Sequence, residues 1–225
     1  MNNNNPASPP APTSSPKMIM TLGLVATLSG FLVVMVFQVT KDAIAENKRI
    51  AIERAIFQVV PAGAVTRRTF ILNRQGIHKE GEGFTLYAAY NDKGELAGIA
   101  AESAAQGYAD LVRLIYGYDP SCECVTGFKV IKMAETPGLG DKIIKDEVFL
   151  KNFEALDVKL NEEGTALKNE IEIVKRGNKQ HPWQIDAISG ATISSRAVGK
   201  AINESAKHLL PVFLKHKDSI AVLQD

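Results

Sequence analysis

Residues 84–101 read FTLYAAYNDKGELAGIAA, and this stretch has the pattern of a β-hairpin. Apolar and aromatic side chains run from Phe84 to Tyr90 and again from Leu96 to Ala101. Between the two runs lies Asn91-Asp92-Lys93-Gly94, whose residue types favour a tight turn. The stretch therefore predicts two antiparallel strands joined by a short turn.

A second stretch, residues 111–133, has a similar layout. An apolar run from Leu111 to Tyr118 is followed by a turn at Asp119-Pro120-Ser121 and a further run from Val125 to Met133. Two similar hairpins in succession predict one antiparallel sheet rather than a doubly wound parallel sheet.

The segments around these hairpins complete the predicted fold. The segment before them, up to Gly83, is polar and poorly patterned. We expect a short helix over Asp146–Phe153, a strand over Ile171–Lys175 and a long final helix over Arg196–His216, which Pro211 should kink or shorten. The predicted fold class is α+β: an antiparallel sheet built from two similar hairpins, with flanking helices, on a single N-terminal transmembrane helix.

The N-terminal part of the chain divides by composition. Residues 1–17 are rich in asparagine, proline, alanine and serine, which predicts a disordered tail. Residues 18–40 predict a transmembrane helix, because the uncharged run from Met18 to Val39 would span about 33 Å as a helix. Residues 41–62 mix apolar and charged positions up to a proline, which predicts an amphipathic stalk helix. Residues 63–225 form the predicted soluble domain.

Two properties of the apolar helix stay open from the sequence. Ala43-Ile44-Ala45 matches a signal-cleavage pattern, although the apolar run exceeds the roughly 7 to 15 residues of a signal peptide, which favours a retained anchor. Most basic residues near the helix follow it, a bias that keeps the C-terminal side in the cytoplasm on the positive-inside rule. Long domains translocate largely regardless of this bias, so it does not decide the orientation.

The composition and the absent motifs exclude several functions. The chain has 225 residues and a formal net charge of +1, so it has no basic excess that would suggest nucleic-acid binding. It lacks G-x-G-x-x-G, a complete P-loop and H-E-x-x-H, the motifs of common nucleotide and zinc-protease sites. We predict no metal ligands and no catalytic acid or base.

Ser189-Gly190-Ala191-Thr192 leads directly into the final helical pattern. The apolar positions that follow fall on one helix face, namely Val198, Ile202, Leu209 and Phe213. Thr192 is therefore expected at or just before a helix N-terminus, which suits a phosphate that is bound or attached to a hydroxyl. The alternative is that Ser189, Ser194 or Ser195 simply caps the helix.

Two further segments carry candidate chemistry, each with a simpler alternative. The glycines of Glu135-Thr136-Pro137-Gly138-Leu139-Gly140 would let the backbone approach a planar or phosphorylated ligand closely, or would form an ordinary turn. Cys122 and Cys124, the only cysteines, are compatible with a redox-sensitive pair or a metal ligand pair. Two exposed thiols or a local bridge are the alternative for the cysteines.

The two candidate segments together resemble a known family. ETPGLGDKI at 135–143 followed by SGATI at 189–193, on a chain with one N-terminal membrane helix, is similar to the FMN-binding domain of the RnfG family, the G subunits of Rnf electron-transport complexes. The C subunit of the Na⁺-translocating NADH:quinone reductase is a longer relative of that family. The resemblance covers the chain from the membrane helix to the final helix. It offers no counterpart for the Cys122–Cys124 turn or the N-terminal tail.

The resemblance implies a cofactor and its site. In that family the threonine that closes the S/T-G-A-T motif carries FMN through a phosphoester bond, which implies Thr192 here and makes the chain a phosphoprotein. The glycine loop would lie against the flavin, with Leu139 and Thr136 nearest the ring. The implied cofactor-binding residues are Glu135, Thr136, Pro137, Gly138, Leu139, Gly140, Ser189, Gly190, Ala191 and Thr192.

The resemblance also implies a function and partners. The chain would be an electron-transfer subunit of a membrane-bound, ion-translocating ferredoxin:NAD⁺ oxidoreductase, with no independent turnover. Its partners would be the other proteins of the Rnf complex and a flavin transferase that uses FAD as donor. Its expected place is the cell inner membrane, crossed once, with the soluble domain on the periplasmic or outer face. Alternatives are a membrane-anchored regulatory or assembly module with the same fold, and a soluble flavin reductase released by signal cleavage.

Overall fold

The computed structural model describes residues 15–73 and 75–223. The predicted disordered tail falls mainly on residues 1–14, which lie outside the described residues. The chain divides into two compact units, Met1–Asn47 and Lys48–Asp225. The helices and strands are α1 (Ser15–Val59), β1 (Thr66–Asn73), β2 (Gly76–His78), β3 (Phe84–Tyr90), β4 (Leu96–Gln106), β5 (Leu111–Asp119), β6 (Cys124–Lys132), α2 (Glu147–Lys151), β7 (Leu156–Asp157), β8 (Glu172–Val174), β9 (Gln184–Asp186) and α3 (Thr192–His216).

The helix α1 is continuous where the sequence predicted a membrane helix and a separate stalk helix. No glycine or proline interrupts residues 31–59, so the backbone hydrogen bonds continue through the predicted boundary at residue 40. The helix is long and apolar enough to cross a membrane, and its most apolar 18-residue window is not buried against protein. It ends at Val59, just before Pro61.

A seven-stranded sheet forms the centre of the second unit. Its strand order is β2-β1-β3-β4-β5-β6-β7, and every neighbouring pair is antiparallel. The antiparallel sheet and both predicted hairpins, β3–β4 and β5–β6, are confirmed. The polar segment before Gly83 also contains strands, β1 and β2, which the sequence pattern did not indicate. Only Phe70 and Leu72 are buried in β1, so the strand has no continuous apolar pattern.

The two faces of the sheet are covered by different helices. The end of α1 packs on one face through Ile52, Ala55, Ile56 and Val59. The helix α3 packs on the other face through the predicted apolar stripe of Val198, Ile202, Leu209 and Phe213. Because successive residues of a strand point to opposite faces, Tyr87 joins the first core and Leu86 the second.

Two elements outside the main sheet differ in detail from the prediction. The strand expected over Ile171–Lys175 is the shorter β8, which pairs in parallel with β9 in a separate two-stranded sheet. The helix α3 begins at Thr192, as expected for a residue at or just before a helix N-terminus, and thus four residues before the predicted bound at Arg196. It continues through Pro211 to His216, so the proline does not shorten it.

Candidate functional site

The two segments singled out from the sequence line one cavity of about 490 Å³. The β4–β5 turn forms a further part of its wall, and the first turn of α3 forms another. The residues that line it are Tyr108, Glu135, Thr136, Leu139, Gly140, Gly190, Ala191, Thr192, Ile193 and Ser194. Segments that are far apart in the chain therefore meet at one site.

The side chain of Glu135 connects three segments of the cavity wall by hydrogen bonds. Its side chain is 7% exposed, and Oε1 accepts hydrogen bonds from the backbone N–H groups of Tyr108, at 3.0 Å, and Ala109, at 3.3 Å. The hydroxyl of Ser194, itself buried, donates to Oε2. One carboxylate thus joins the β4–β5 turn and helix α3 to the loop that contains it. Glu135 contributes by positioning these segments, with both oxygens engaged by the protein.

Two glycines of the site are required for different reasons. A Cβ on Gly140 would lie 2.6 Å from Glu135 Oε2 and 2.8 Å from Ser194 Oγ, so only glycine lets the loop close on this pair. Gly190 has a φ of +82°, a conformation that other residues adopt only with strain, and the space beside it is open. Gly190 therefore turns the chain into α3 and leaves room next to Thr192.

The first turn of α3 departs from the predicted capping. Ala191 occupies the N-cap position, and no side-chain hydrogen bond caps the helix there. Ser195 donates to the Ala191 carbonyl and accepts from the Ile188 N–H, while Ser194 bonds to Glu135. The prediction that Ser189, Ser194 or Ser195 caps the helix is therefore wrong. Thr192 is the first helical residue and is exposed at the edge of the cavity.

Three apolar side chains at the mouth of the cavity remain open to solvent. Tyr108 is 69% exposed, Leu139 is 49% exposed and Ile193 is 50% exposed. Large apolar side chains that line a cavity and stay this exposed form a surface for a flat, apolar ligand. The mouth of this cavity therefore offers apolar surface, with the exposed side chain of Thr192 at its edge.

A second cavity, of about 500 Å³, also borders Thr192 and carries positive charge. Lys175, Arg176 and Arg196 line it together with Ser189 and Gly190. An ion pair of 2.6 Å joins Arg176 to Asp146, the residue that caps α2. The Arg176 guanidinium, through its hydrogen bond, holds the pKa of the Asp146 carboxyl below its ordinary value.

The predicted site residues thus divide between the two cavities. Glu135, Thr136, Leu139, Gly140, Ala191 and Thr192 line the apolar cavity, Ser189 lines the charged one, and Gly190 lines both with Thr192. Pro137 and Gly138 are exposed in the loop and belong to neither lining.

The sequence pattern did not identify Tyr108, Ile193 or Ser194 as contributors to the apolar cavity. Tyr108 follows a glycine in a turn of the sheet, and this is the one signal that could have drawn attention to it. The pairing of Ser194 with Glu135 joins residues 59 positions apart, which spacing does not reveal.

The cysteines form a local disulfide between Cys122 and Cys124, in agreement with the local bridge that was one alternative for them. This disulfide lies at the β5–β6 turn, whereas the apolar cavity lies at the β4–β5 end of the same hairpin strands. Within residues 15–73 and 75–223, no group of three His, Cys, Asp or Glu side chains could hold a metal ion.

Comparison with known proteins finds similarity in both the N-terminal helix and the domain that follows it. A family model described as RnfG N-terminal region matches residues 18–59, and one described as FMN-binding domain matches residues 107–207. The G subunit of the ion-translocating oxidoreductase complex of Aliivibrio fischeri is 31% identical over 199 residues, which cover 86% of this chain and 89% of the relative.

Two further similarities extend this comparison. The G subunit of the Na⁺-translocating ferredoxin:NAD⁺ oxidoreductase complex of Acetobacterium woodii is 32% identical over 152 residues, covering 67% of this chain and 66% of the relative. The crystal structure of the C subunit of the Na⁺-translocating NADH-quinone reductase from Parabacteroides distasonis is similar with a TM-score of 0.52 and 21% identity. The match covers 75% of this chain and 81% of that one, and at this identity it indicates a common fold.

Proposed function

The chain belongs to the RnfG family, the G subunits of ion-translocating oxidoreductase complexes, and on this premise we propose that it transfers electrons through FMN linked to Thr192 by a phosphoester bond. FMN supplies one-electron and two-electron transfer when bound. The protein contributes binding and orientation of the ring.

One observation carries this proposal: the glycine loop and the Ser-Gly-Ala-Thr segment line the same cavity, with Thr192 at its edge. Its volume of about 490 Å³ falls in the usual range for ligand sites, roughly 300–1,000 Å³. Tyr108, Leu139 and Ile193 offer apolar surface to a ring. The exposed side chain of Thr192 offers a hydroxyl for attachment, so the residues present fit FMN.

Attachment requires a donor and a second protein. We propose that a flavin transferase presents FAD, and that the Thr192 Oγ–phosphorus bond forms as the phosphoanhydride bond of FAD breaks. AMP leaves, and the hydroxyl proton passes to a base of the transferase. Thr192 is then an attachment point that takes no part in later electron transfer. The chain has no turnover of its own and acts as a redox subunit.

The names of the relatives support the place of this protein in a larger complex. One relative belongs to an ion-translocating oxidoreductase complex, and another belongs to a Na⁺-translocating ferredoxin:NAD⁺ oxidoreductase. We propose that this chain relays electrons between the neighbouring subunits of such a ferredoxin:NAD⁺ oxidoreductase. The apolar helix α1 would anchor it in the inner membrane.

The disulfide supports an outer-face location for the soluble part. Disulfides persist in oxidising compartments and are rare in the cytoplasm, where thiols are kept reduced. The Cys122–Cys124 bond therefore favours a domain on the periplasmic or outer side, against the weak bias of the basic residues that follow the apolar run.

In-gel flavin fluorescence of the denatured full chain, expressed with a flavin transferase, tests the attachment site. We expect fluorescence from the wild type and none from Thr192→Ala, because only a covalent link survives denaturation. Thr69→Ala is the matched control, since it removes an exposed threonine hydroxyl from a position that lines neither cavity, and it should keep the signal. Fluorescence that persists in Thr192→Ala, or that is lost in Thr69→Ala alone, would contradict the assignment.

A further inference from the structure

We propose that the charged cavity beside Thr192 is a subsite for the phosphate groups of the flavin donor, with Lys175 and Arg196 as its principal ligands. This inference rests on the proposed function, and it assigns the charged cavity to the same flavin site as the apolar cavity. The ring of the flavin occupies the apolar cavity, and the phosphate oxygens are held on the other side of Thr192.

The lining of the charged cavity supports an anionic ligand. Among the residues that the structure describes, it contains the three cationic side chains of Lys175, Arg176 and Arg196 and no carboxylate. Arg176 is already paired with Asp146 at 2.6 Å. Neither Lys175 nor Arg196 has an ion pair or a side-chain hydrogen bond with any other residue of the described ranges 15–73 and 75–223. Two unpaired cations therefore face a space of about 500 Å³.

The position of this charge relative to Thr192 identifies the ligand class. Thr192 and Gly190 line both cavities, so a group attached to the Thr192 hydroxyl lies between them. The apolar cavity offers Tyr108, Leu139 and Ile193, and the carboxylate of Glu135 in its lining is engaged by other protein groups. The phosphates of a flavin nucleotide are thus better accommodated on the cationic side, where each oxygen can accept a charge-assisted hydrogen bond.

Lys175 and Arg196 come from separate elements, so the distance between their charges depends on how β8 and α3 pack. Lys175 directly follows β8, whereas Arg196 lies in the first turns of α3. The ion pair between Arg176 and Asp146 ties the β8–β9 connection to the start of α2. This pair keeps Arg176, next to Lys175, at the cavity wall.

Pyrophosphate binding to the full chain without flavin is the direct test, because pyrophosphate carries two linked phosphates and no ring. The full chain is expressed without transferase and purified in detergent. Its melting temperature should rise by about 2 °C or more when pyrophosphate is present at ten times its dissociation constant. Lys175→Gln/Arg196→Gln should lose this rise. Lys200→Gln/Lys215→Gln removes the same charge from exposed positions of α3 outside the cavity, and it should keep the rise. An equal rise in both double variants, or no rise in the wild type, would overturn the subsite.

Attachment kinetics then distinguish the phosphates of the incoming FAD from the phosphate of attached FMN. If the donor phosphates bind here, Lys175→Gln/Arg196→Gln should acquire covalent flavin roughly tenfold more slowly than the wild type and the control. If the phosphate of attached FMN binds here, the rate of flavin attachment should equal that of the control. The melting temperature of the flavin-loaded variant should then fall below that of the flavin-loaded control. A variant that matches the control in both measurements overturns the proposal. A wild type that acquires no flavin at Thr192 contradicts the proposed function and leaves the pyrophosphate result standing by itself.

Discussion

At the level of single residues, Glu135 holds three segments of the apolar cavity wall together. Glu135→Ala removes the acceptor for two backbone N–H groups and for the buried Ser194 hydroxyl. Donors left buried without partners are costly, so we expect a loss of about 2–4 kcal/mol in the free energy of unfolding. Glu135→Gln keeps the volume and one acceptor oxygen and should lose about 1–2 kcal/mol.

Urea unfolding of the full chain in detergent measures this loss. The fluorescence of Trp183, the only tryptophan, reports on the soluble domain. A double-mutant cycle with Ser194→Ala provides the control, because both single variants break the same hydrogen bond. The double variant should therefore lose less than the sum of the two single losses. Strict additivity would contradict the shared bond, and an Ala variant as stable as the Gln variant would contradict the positioning role.

At the residue level, the sequence identified seven of the ten residues that line the apolar cavity. Thr192 and Leu139 belong to contiguous motifs, so their residue types and spacing can be compared with a family directly. Tyr108 and Ser194 contribute through contacts that exist only after folding, when the β4–β5 turn and α3 meet at Glu135. The prediction that a serine caps α3 failed for the same reason, because the hydroxyls of Ser194 and Ser195 already have partners elsewhere.

At the level of elements, Asp146 connects the start of α2 to the β8–β9 connection. Its Oδ1 accepts the Phe149 N–H as an N-cap, and its Oδ2 pairs with Arg176. Asp146→Ala removes both interactions and should cost about 1–2 kcal/mol, whereas Asp146→Asn keeps a good cap and should cost only about 0.5–1 kcal/mol.

The pH dependence of these two variants separates the cap from the ion pair. The pKa of Asp146 is lowered in the folded state, so the pair stabilises fully above the ordinary carboxyl pKa and is lost as the pH falls through the lower folded value. The stability difference between the wild type and Asp146→Asn should thus be constant from about pH 5 to pH 8 and shrink toward pH 3. Urea unfolding across this range measures it. A difference that persists unchanged at pH 3 would show that the ion pair is not its source.

The length and the position of elements were predictable where the apolar pattern was regular. The hairpins and the buried stripe of α3 have such patterns, and both are found as predicted. The strand β1 was missed because only Phe70 and Leu72 are buried in it. The strand β8 is shorter than the predicted strand Ile171–Lys175, because its parallel pairing with β9 covers only three residues. In both cases tertiary pairing decided what local pattern did not.

At the level of the whole molecule, the sheet separates the candidate site from the disulfide. The strands β4 and β5 meet at the cavity end through Gln106 and Leu111, and β5 and β6 meet at the disulfide end through Asp119 and Cys124. The antiparallel topology could be predicted from two hairpins in the sequence. The sequence did not indicate which end of the sheet carries the candidate site. That end is identified by the positions of the glycine loop and α3 in the folded structure.

The disulfide gives a test of the membrane orientation that uses only the natural cysteines. Cells that express the full chain are treated with N-ethylmaleimide before lysis, and the denatured protein is then reacted with a maleimide carrying a large polymer. For a domain on the outer face we expect no gel shift without reductant. With reductant added after the blocking step, we expect a shift of two polymers, because Cys122 and Cys124 are the only cysteines.

Cys122→Ser supplies the control for this experiment, since it leaves Cys124 without its disulfide partner. Reacted with the polymer in denaturant without prior blocking, it should shift by one polymer with no reductant. Protease added to the outer side of spheroplasts provides an independent measurement and should digest the domain from residue 63 onward. A chain that is fully blocked in cells before reduction, and protected from external protease, would place the domain in the cytoplasm. The charge bias after the apolar run would then have been the correct guide to the topology.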